Sequence, residues 1–204
     1  MLTAEITLEK YDKNGQLLQS IKHKSRSFLK QFIQFIEAMT RQANTTGTDI
    51  TGTARTIYGS SGYSPARNLF CTPGAAHGYA DSQRVRGRGD EVGIVVGSGT
   101  TAVAPDDYKL ETQIAHGTGT GQLIYLGCGL KPVVVSAPDA YMDLVRFFEN
   151  QSGGDVTINE VGIYAVDGYD YYQFCICRDV LATSVTVANG ELLKVRYRIK
   201  VSVS

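Results

Sequence analysis

The chain has 204 residues, 43% hydrophobic and 20% charged, and its 20 basic and 20 acidic residues cancel to zero net charge. That length suits a single all-β domain, which buries enough surface to fold without metal or disulfide staples. Zero net charge argues against a protein that binds nucleic acid by neutralising phosphates, since such a protein needs a basic face. No run approaches the roughly 18 consecutive apolar residues of a membrane helix, and the first residues do not resemble a secretory signal. We expect neither a nucleic acid nor a membrane as partner.

The first 42 residues predict a hairpin followed by a helix. Residues 4–10 and 16–22 read as strands, and Asn14-Gly15 between them is a strong hairpin signal because both residues tolerate positive φ. Apolar residues at three- and four-residue spacing predict a helix over about 26–42, capped by Ser25 or Ser27. Burial of this helix against a sheet is the favoured interpretation. The alternative is a subunit contact, for which the candidates are Phe28, Phe32 and Phe35.

Residues 43–89 differ from the rest of the chain in composition: they are rich in Gly, Thr, Ser and Ala and contain few large apolar residues. A structureless run of this length is uncommon inside a compact domain, so we expect an extended arm or long loop that orders against a surface. The guanidinium groups of Arg84, Arg86 and Arg88 alternate along it and suit paired hydrogen bonds to carboxylates of another subunit. An internal loop packed on its own domain is the competing interpretation.

From residue 90 to 204 the pattern is that of a β protein. Alternating apolar residues are bounded by Gly and Asn/Asp turns about every ten residues, which predicts the main strands of an antiparallel β-sandwich, jelly-roll or Ig-like. The 204 residues then form one sandwich domain with an N-terminal hairpin and one amphipathic helix. The predicted strands span 92–96, 122–126, 131–136, 142–149, 156–165, 171–181 and 192–203.

Two glycine-rich runs superficially match nucleotide-binding motifs. Gly97–Ala102 fits GxGxxA, but Pro105 interrupts the helix that this motif requires. The run from His116 to Gly121 lacks the GK[ST] ending of a phosphate loop. We interpret both runs as turns and expect no cofactor.

The remaining reactive residues do not assemble into a recognisable site. Cys175 and Cys177 share a strand face, and we interpret them as small buried residues rather than zinc ligands. The acids are scattered, with Asp106-Asp107 expected in a solvated turn. The histidines stand in separate contexts. We predict no catalytic residue, no metal site and no enzymatic activity; the histidines are His23, His77 and His116, and the other cysteines, also expected as free thiols, are Cys71 and Cys128.

The C-terminal half contains three blocks in which strand and turn residues recur, and these span 91–103 with 106–110, 148–153 with 156–164, and 177–181 with 185–191. The three blocks resemble a recurrent type of tailed-bacteriophage virion protein, the β-rich neck, tail and head-surface proteins. The pattern is one of strands and turns without a catalytic motif, so no functional residue is implied. It covers about 115 residues well, the first 40 loosely and residues 43–89 not at all.

The resemblance implies a non-enzymatic structural component of the virion, made and folded in the bacterial cytoplasm. Its expected partners are copies of itself, in a closed ring or trimer, and other virion proteins such as portal, connector, tail or major capsid protein. The alternatives are a capsid decoration (cement) protein and a receptor- or carbohydrate-binding module of a fibre. For the last, Tyr169, Tyr171 and Tyr172 would form the aromatic platform.

Overall fold

A computed structural model of the chain describes residues 2–25, 27–59, 90–167 and 172–202. In these residues the chain is mainly β with one short helix, which confirms the predicted class, and the predicted N-terminal hairpin is present. The elements are β1 (Leu2–Tyr11), β2 (Leu17–Ser25), α1 (Lys30–Arg41), β3 (Thr45–Thr48), β4 (Ala54–Ile57), β5 (Gly93–Gly97), β6 (Ile124–Leu130), β7 (Val134–Ser136), β8 (Asp139–Glu149), β9 (Val156–Val166), β10 (Gln173–Val187) and β11 (Leu192–Ser202).

The larger sheet is antiparallel with the strand order β2-β1-β11-β8-β6. The first and last described strands, β1 and β11, pair near the centre of this sheet. Leu2 lies opposite Val201, and Tyr11 lies opposite Leu192. On the far side of β11, strand β8 is long enough to pair with two shorter strands in succession. Strand β6 pairs with its second half and β7 with its first residues, so β6 and β7 together form one edge of the sheet.

A second antiparallel sheet, in the order β10-β9-β5, shares its core with the first. Along β11 every second residue is buried, including Leu193, Val195 and Tyr197, as the period of two predicts. The Tyr197 hydroxyl donates a hydrogen bond to the Val161 carbonyl of β9 at 3.1 Å. Buried side chains of the two sheets therefore belong to one hydrophobic core.

The turn between β1 and β2 differs from the expected two-residue turn. The Asp12 amide donates to the Gln16 carbonyl, and the Asp12 side chain accepts from the amides of Asn14 and Gln16. Gly15 has a φ of 81°, whereas Asn14 does not have positive φ. A longer turn closed by the Asp12 carboxylate thus leaves Gly15 alone in the left-handed region.

Helix α1 begins later than predicted. It starts at Lys30, and its N-cap residue Leu29 makes no side-chain capping bond. Ser25 instead ends β2 and donates to Asp179, while the carbonyl of Ser27 accepts from the Arg178 amide. The prediction of a Ser cap was wrong because both residues bond to the neighbouring sheet.

The first part of segment 43–89 is not an extended arm. Strands β3 and β4 pair as a short hairpin that packs against α1, and Ile57 is completely buried. A Cβ on Gly47 would lie 2.8 Å from the Ile57 side chain, so the two strands fit closely because residue 47 is glycine. Residues 60–89, with Arg84, Arg86 and Arg88, lie outside the described residues.

Several predicted strand bounds were also wrong: β7 begins at Val134 instead of residue 131, and β8 begins at Asp139 instead of residue 142. Two further differences occur beside irregularities in strand pairing. The Gly127–Gly129 stretch, expected as a turn after residue 126, lies within β6, where Cys128 pairs with Arg146 past an irregularity in register. Strand β10 continues six residues beyond the predicted end at residue 181, with a second irregularity between Val180 and Val185. In both cases the neighbouring strand continues the pairing although the local sequence is rich in small residues.

Candidate functional site

The most extensively bonded charged group in the described residues is the Glu160–Arg178 pair. Arg178 Nε donates to Glu160 Oε2 at 2.8 Å, and both side chains are almost completely buried. Burial alone would lower the pKa of Arg178, but hydrogen bonds to Glu160 and Asp107 outweigh it, so the pKa is raised. The guanidinium therefore remains charged and acts as a fixed cation between two acids.

Glu160 also anchors the long connection between β5 and β6. Its Oε1 accepts from the amides of Gly99 and Thr112, and its Oε2 accepts from the amide of Glu111 as well as from Arg178. A Cβ on Gly97 or Gly99 would collide with this carboxylate. The GxG spacing, considered above as a nucleotide motif, thus lets the backbone approach a buried side chain of the same chain.

Asp107 is not a purely solvated turn residue, contrary to the prediction. Its Oδ2 accepts from Arg178 Nη1 at 2.7 Å and from the amide of Ala104 at 3.0 Å. The neighbouring Glu111 accepts from the amides of Thr100 and Thr101. These carboxylates therefore hold the loop between β5 and β6 in place.

A second polar cluster lies where β2, β10 and β11 meet. Asp179 Oδ2 accepts a hydrogen bond from Ser25 Oγ at 2.7 Å, and it lies 3.3 Å from both Tyr197 Oη and Cys177 Sγ. His23 Nε2 is 3.9 Å from Asp179 Oδ1, which is too long for a hydrogen bond. Burial, and next the adjacent Asp179 charge, raise the pKa of the Cys177 thiol well above its usual value. A buried neutral thiol is a poor nucleophile, so the cluster has the chemistry of a core contact.

Arg146 of β8 is buried beneath the β6 edge. It donates to the carbonyls of Leu126, Val92 and Ile94, and its guanidinium lies 4.8 Å from the centre of the Tyr125 ring. Burial lowers the pKa of this arginine. Because its described hydrogen bonds go to carbonyl oxygens, Arg146 joins β5, β6 and β8 and presents no charge to a ligand.

The described residues include histidines, acids and three cysteines, the side chains that most often bind metal ions. They contain no group of three or more His, Cys, Asp or Glu side chains placed to hold a metal ion. Cys128, Cys175 and Cys177 are all buried and free, and His116 accepts from the Tyr125 amide through Nδ1. No helix in this part of the chain is both long and apolar enough to cross a membrane.

The three phenylalanines named as candidate subunit contacts belong to this chain's own core. Phe35 is completely buried with its ring 5.5 Å from that of Phe174, edge to face. Phe32 is buried and stacks on Phe28 at 4.3 Å. The apolar face of α1 is therefore occupied by the chain itself, as the favoured interpretation expected, and Ile33 is the large apolar side chain that α1 exposes.

One of the three tyrosines of the carbohydrate-platform alternative can be placed. Tyr172 is half-buried, and the Arg55 guanidinium covers its ring at 4.1 Å from the centre. Arg55 is itself held by Asp49 at 3.2 Å. One face of the Tyr172 ring is thus occupied; Tyr169 and Tyr171 lie outside the described residues.

The exposed apolar side chains of the described residues are concentrated at one edge of the larger sheet. Nine large hydrophobic residues are exposed, and five of them lie on or between β6 and β7. Sequence reasoning missed this concentration, although three successive valines could have signalled it. We call this surface the β6–β7 edge; its members are Leu126, Leu130, Val133, Val134 and Val135.

Comparisons of the chain with protein-family models, with curated proteins and with solved structures gave no match.

Proposed function

We propose that this protein is a non-enzymatic structural component of a tailed-bacteriophage virion, located in the neck, collar or tail or on the head surface. It would assemble there from several copies and contact other virion proteins such as portal, connector, tail or major capsid protein. The sequence blocks that resemble phage neck, tail and head-surface proteins are the starting point of this proposal. Capsid decoration is the nearest alternative role within the same class.

The structural observation that carries the proposal is the β6–β7 edge. Isolated exposed apolar residues are ordinary on a soluble protein, but a contiguous group along a strand edge is typical of a surface that binds another protein. The described buried charges support the same interpretation, because Arg146, Glu160 and Arg178 bond to groups of this chain. A structural subunit that acts by binding its neighbours needs a stable fold and a surface that binds other proteins.

The finer architecture is part of this proposal. Two antiparallel sheets around one core are compatible with the β-sandwich of jelly-roll or Ig-like type that the strand rhythm predicts. In the described residues the chain's first and last strands pair within the larger sheet. An experimental structure of the whole chain would decide between the two sandwich types.

The test is the composition of purified virions from the phage that encodes this chain. Mass spectrometry should detect the protein in stoichiometric amounts in particles banded on a density gradient. An antibody label viewed by electron microscopy should then decorate one location, which separates neck or tail from head surface. Absence of the protein from intact particles would overturn the proposal.

The fibre alternative makes a different prediction. A glycan array would show binding by the wild-type chain that is lost in Tyr171→Ala and retained in Tyr11→Ala. That pattern would favour a carbohydrate-binding module. The Arg55 guanidinium over Tyr172 leaves that ring with one open face at most, so Tyr172 alone offers no double-sided platform.

A further inference from the structure

The face of the larger sheet that points away from the second sheet is lined by charged side chains. Along β11 four basic residues alternate with buried residues of the core, so their side chains lie on this outer face. Three of them bind acids of the neighbouring strands at 2.6 to 3.1 Å; these three are Lys194, Arg198 and Lys200. Arg196 is the basic residue of β11 that has no carboxylate partner among the described residues.

The antiparallel register explains why Arg196 lacks such a partner. Arg196 lies opposite Thr7 of β1 and Val145 of β8. On its other side, Thr7 lies opposite Lys22 of β2. We call this line of residues across the sheet the Thr7 row; its members are Lys22, Thr7, Arg196, Val145 and Gly129. The row therefore contains two cations and no acid.

The rows on either side of the Thr7 row are electrically balanced. One of them contains Glu9 and Lys194, whose charged groups lie 2.6 Å apart. The other contains two acids and two cations, namely Glu5, Asp143, Lys24 and Arg198. The hydrogen bond from Lys194 is the main reason that the pKa of Glu9 is lowered, and the charge of Arg196 contributes less. The two positive charges of the Thr7 row are thus an excess that the neighbouring rows do not neutralise.

Arg196 itself is half-buried and only partly bonded. Its Nη2 donates to Thr7 Oγ1 at 3.0 Å. Its Nε is buried and has no acceptor among the described residues, and its Nη1 makes no hydrogen bond to them either. A guanidinium that is already oriented and partly removed from water forms a strong, charge-assisted bond to a carboxylate.

We propose that the Thr7 row binds a carboxylate side chain of a different protein, with Arg196 as the principal donor and Lys22 as a second positive charge. Adjacent strands are about 4.8 Å apart, so Lys22 and Arg196 stand on either side of Thr7 within reach of one carboxylate. Two like charges at this separation repel each other, and a bound acid removes that cost. The inference goes beyond the proposed function, since it adds a binding surface separate from the exposed apolar residues of the β6–β7 edge.

The neighbouring acids indicate a single carboxylate rather than a polyanion as the ligand. Glu5 and Glu9 lie two residues from Thr7 along β1, about 7 Å away in each direction. A nucleic acid carries one negative charge per nucleotide and would bring further charges against these acids. A protein segment can instead present one acid between uncharged or basic residues, which matches the charges of the three rows.

A different protein also suits the Thr7 row better than a second copy of this chain. Two of the three acids in the neighbouring rows, Glu9 and Asp143, are bound to basic residues of their own chain. The third, Glu5, lies between Lys24 and Arg198 in the register. Two outer faces packed together would therefore break one ion pair to form another, whereas a different protein supplies a new acid.

The first test is an NMR titration of the isotope-labelled full chain with a blocked peptide, Thr-Lys-Thr-Glu-Thr-Lys-Thr. Its lysines stand two residues from the Glu and match the spacing of Glu5 and Glu9 from Thr7. Binding should shift the backbone amides of Thr7 and Arg196 and the Nε–H signal of Arg196. The same peptide with Gln in place of Glu should bind about tenfold more weakly, because it loses the charge that pairs with Arg196. Equal affinity for the two peptides overturns the inference.

Three substitutions then assign the contact to the Thr7 row. Arg196→Gln should weaken binding of the Glu peptide about tenfold, and Lys22→Gln about threefold. Lys24→Gln is the matched control, because it also removes an exposed lysine of β2 but one that lies opposite Glu5; it should change binding less than about twofold. Circular dichroism checks the fold of each variant, and exposed Lys22 keeps the test valid if Arg196→Gln disturbs it. Equal effects of Lys22→Gln and Lys24→Gln overturn the inference.

Three further measurements identify other occupants of the Thr7 row. Sodium acetate at equal ionic strength should not reproduce the shifts at the concentrations that suffice for the peptide; if it does, the row binds free anions only. If the peptide binds only to an Asp81→Asn variant, an acid of the chain's own residues 60–89 fills the row. If sedimentation shows self-association that Arg196→Gln abolishes, a second copy does. Each of these results overturns the inference, and none of them bears on whether the protein is present in virions.

Discussion

Arg178 of β10 and Glu160 of β9 form a 2.8 Å ion pair inside the protein, with the arginine reaching across to Asp107 of a distant loop at 2.7 Å. Glu160 receives four described hydrogen bonds, three of them from backbone amides. The pair thus joins the smaller sheet to the β5–β6 connection. A buried pair of this kind does not need to add stability over an apolar core, but loss of one partner is costly.

Glu160→Gln should destabilise the protein by about 3 kcal/mol, because it removes the charge facing Arg178 and turns an amide group towards backbone donors. The measurement is the free energy of unfolding from urea denaturation. Glu37→Gln is the control: Glu37 forms an exposed pair with Arg41 in α1, and its loss should cost under about 0.5 kcal/mol. Equal losses in the two variants would contradict the role given to Glu160.

Glu111 provides a prediction about acid. The Thr101 hydroxyl, followed by the amides of Thr101 and Thr100, lowers the pKa of Glu111 from its usual 4.5. A lowered folded-state pKa stabilises the fold above the unfolded pKa, and this contribution is lost as pH falls through the folded value. Thr101→Val should therefore raise the pKa of Glu111, measured by NMR titration of its carboxyl carbon.

Thr100→Val serves as the control for Thr101→Val. Thr100 bonds to Glu111 through its backbone amide, which valine retains. The pKa of Glu111 should therefore stay at the wild-type value in Thr100→Val. If both variants raise it equally, the Thr101 hydroxyl is not the principal cause.

Phe35→Ala should cost about 3–5 kcal/mol, as expected for an aromatic side chain removed from a packed core. Phe35 is completely buried against Phe174. Ile33→Ala, two residues away on the exposed face of α1, should change stability by less than about 0.5 kcal/mol. Thermal unfolding of the two variants checks both values. A mild effect of Phe35→Ala would mean that α1 is only loosely attached to the sheet.

Asn150 and Asn189 lie in adjacent turns and offer a matched pair. The side-chain Nδ2 of Asn150 donates to the carbonyls of Gly154 and Val187. The side-chain oxygen of Asn189 instead accepts from the backbone amide of Gly153. Asn150→Asp removes both donors at a buried site and should cost roughly 3 kcal/mol. Asn189→Asp retains the acceptor and should be tolerated. Chemical denaturation gives the free energy of unfolding of each variant. An equal loss of stability in the two variants would refute the distinction between Asn150 and Asn189.

The N-terminal hairpin and the strands beyond residue 140 could be predicted from the sequence because their signals are local. Alternation along 192–199 follows the pleat of β11, and Asn150 and Asn189-Gly190 mark real turns. Gly190 has a φ of 86°, which glycine adopts without strain. Such features depend on residues a few positions apart, so one segment is enough to recognise them.

The polar core could not be predicted for the opposite reason. Asp107 and Arg178 are separated by 71 residues and Ser25 and Asp179 by 154, so no spacing rule connects them. The start of α1 was misplaced because Ser25 bonds to a strand that is far away in sequence. The β3–β4 hairpin was missed because Gly47 and its threonine neighbours carry little hydrophobic signal, and their order comes from packing against α1 and Ile57.

The position of strand β11 determines when the larger sheet can form. The strand lies between β1 and β8, and it is the last of the described strands to be synthesised. While the chain emerges from the ribosome, β1 can pair with β2, but its other side has no partner until about 190 residues have been made. Closing a loop of that length costs roughly 5 kcal/mol of chain entropy. The larger sheet must therefore be completed after translation of β11, and until then Ile6 and Leu8 lack the β11 residues beside which they are buried in the fold.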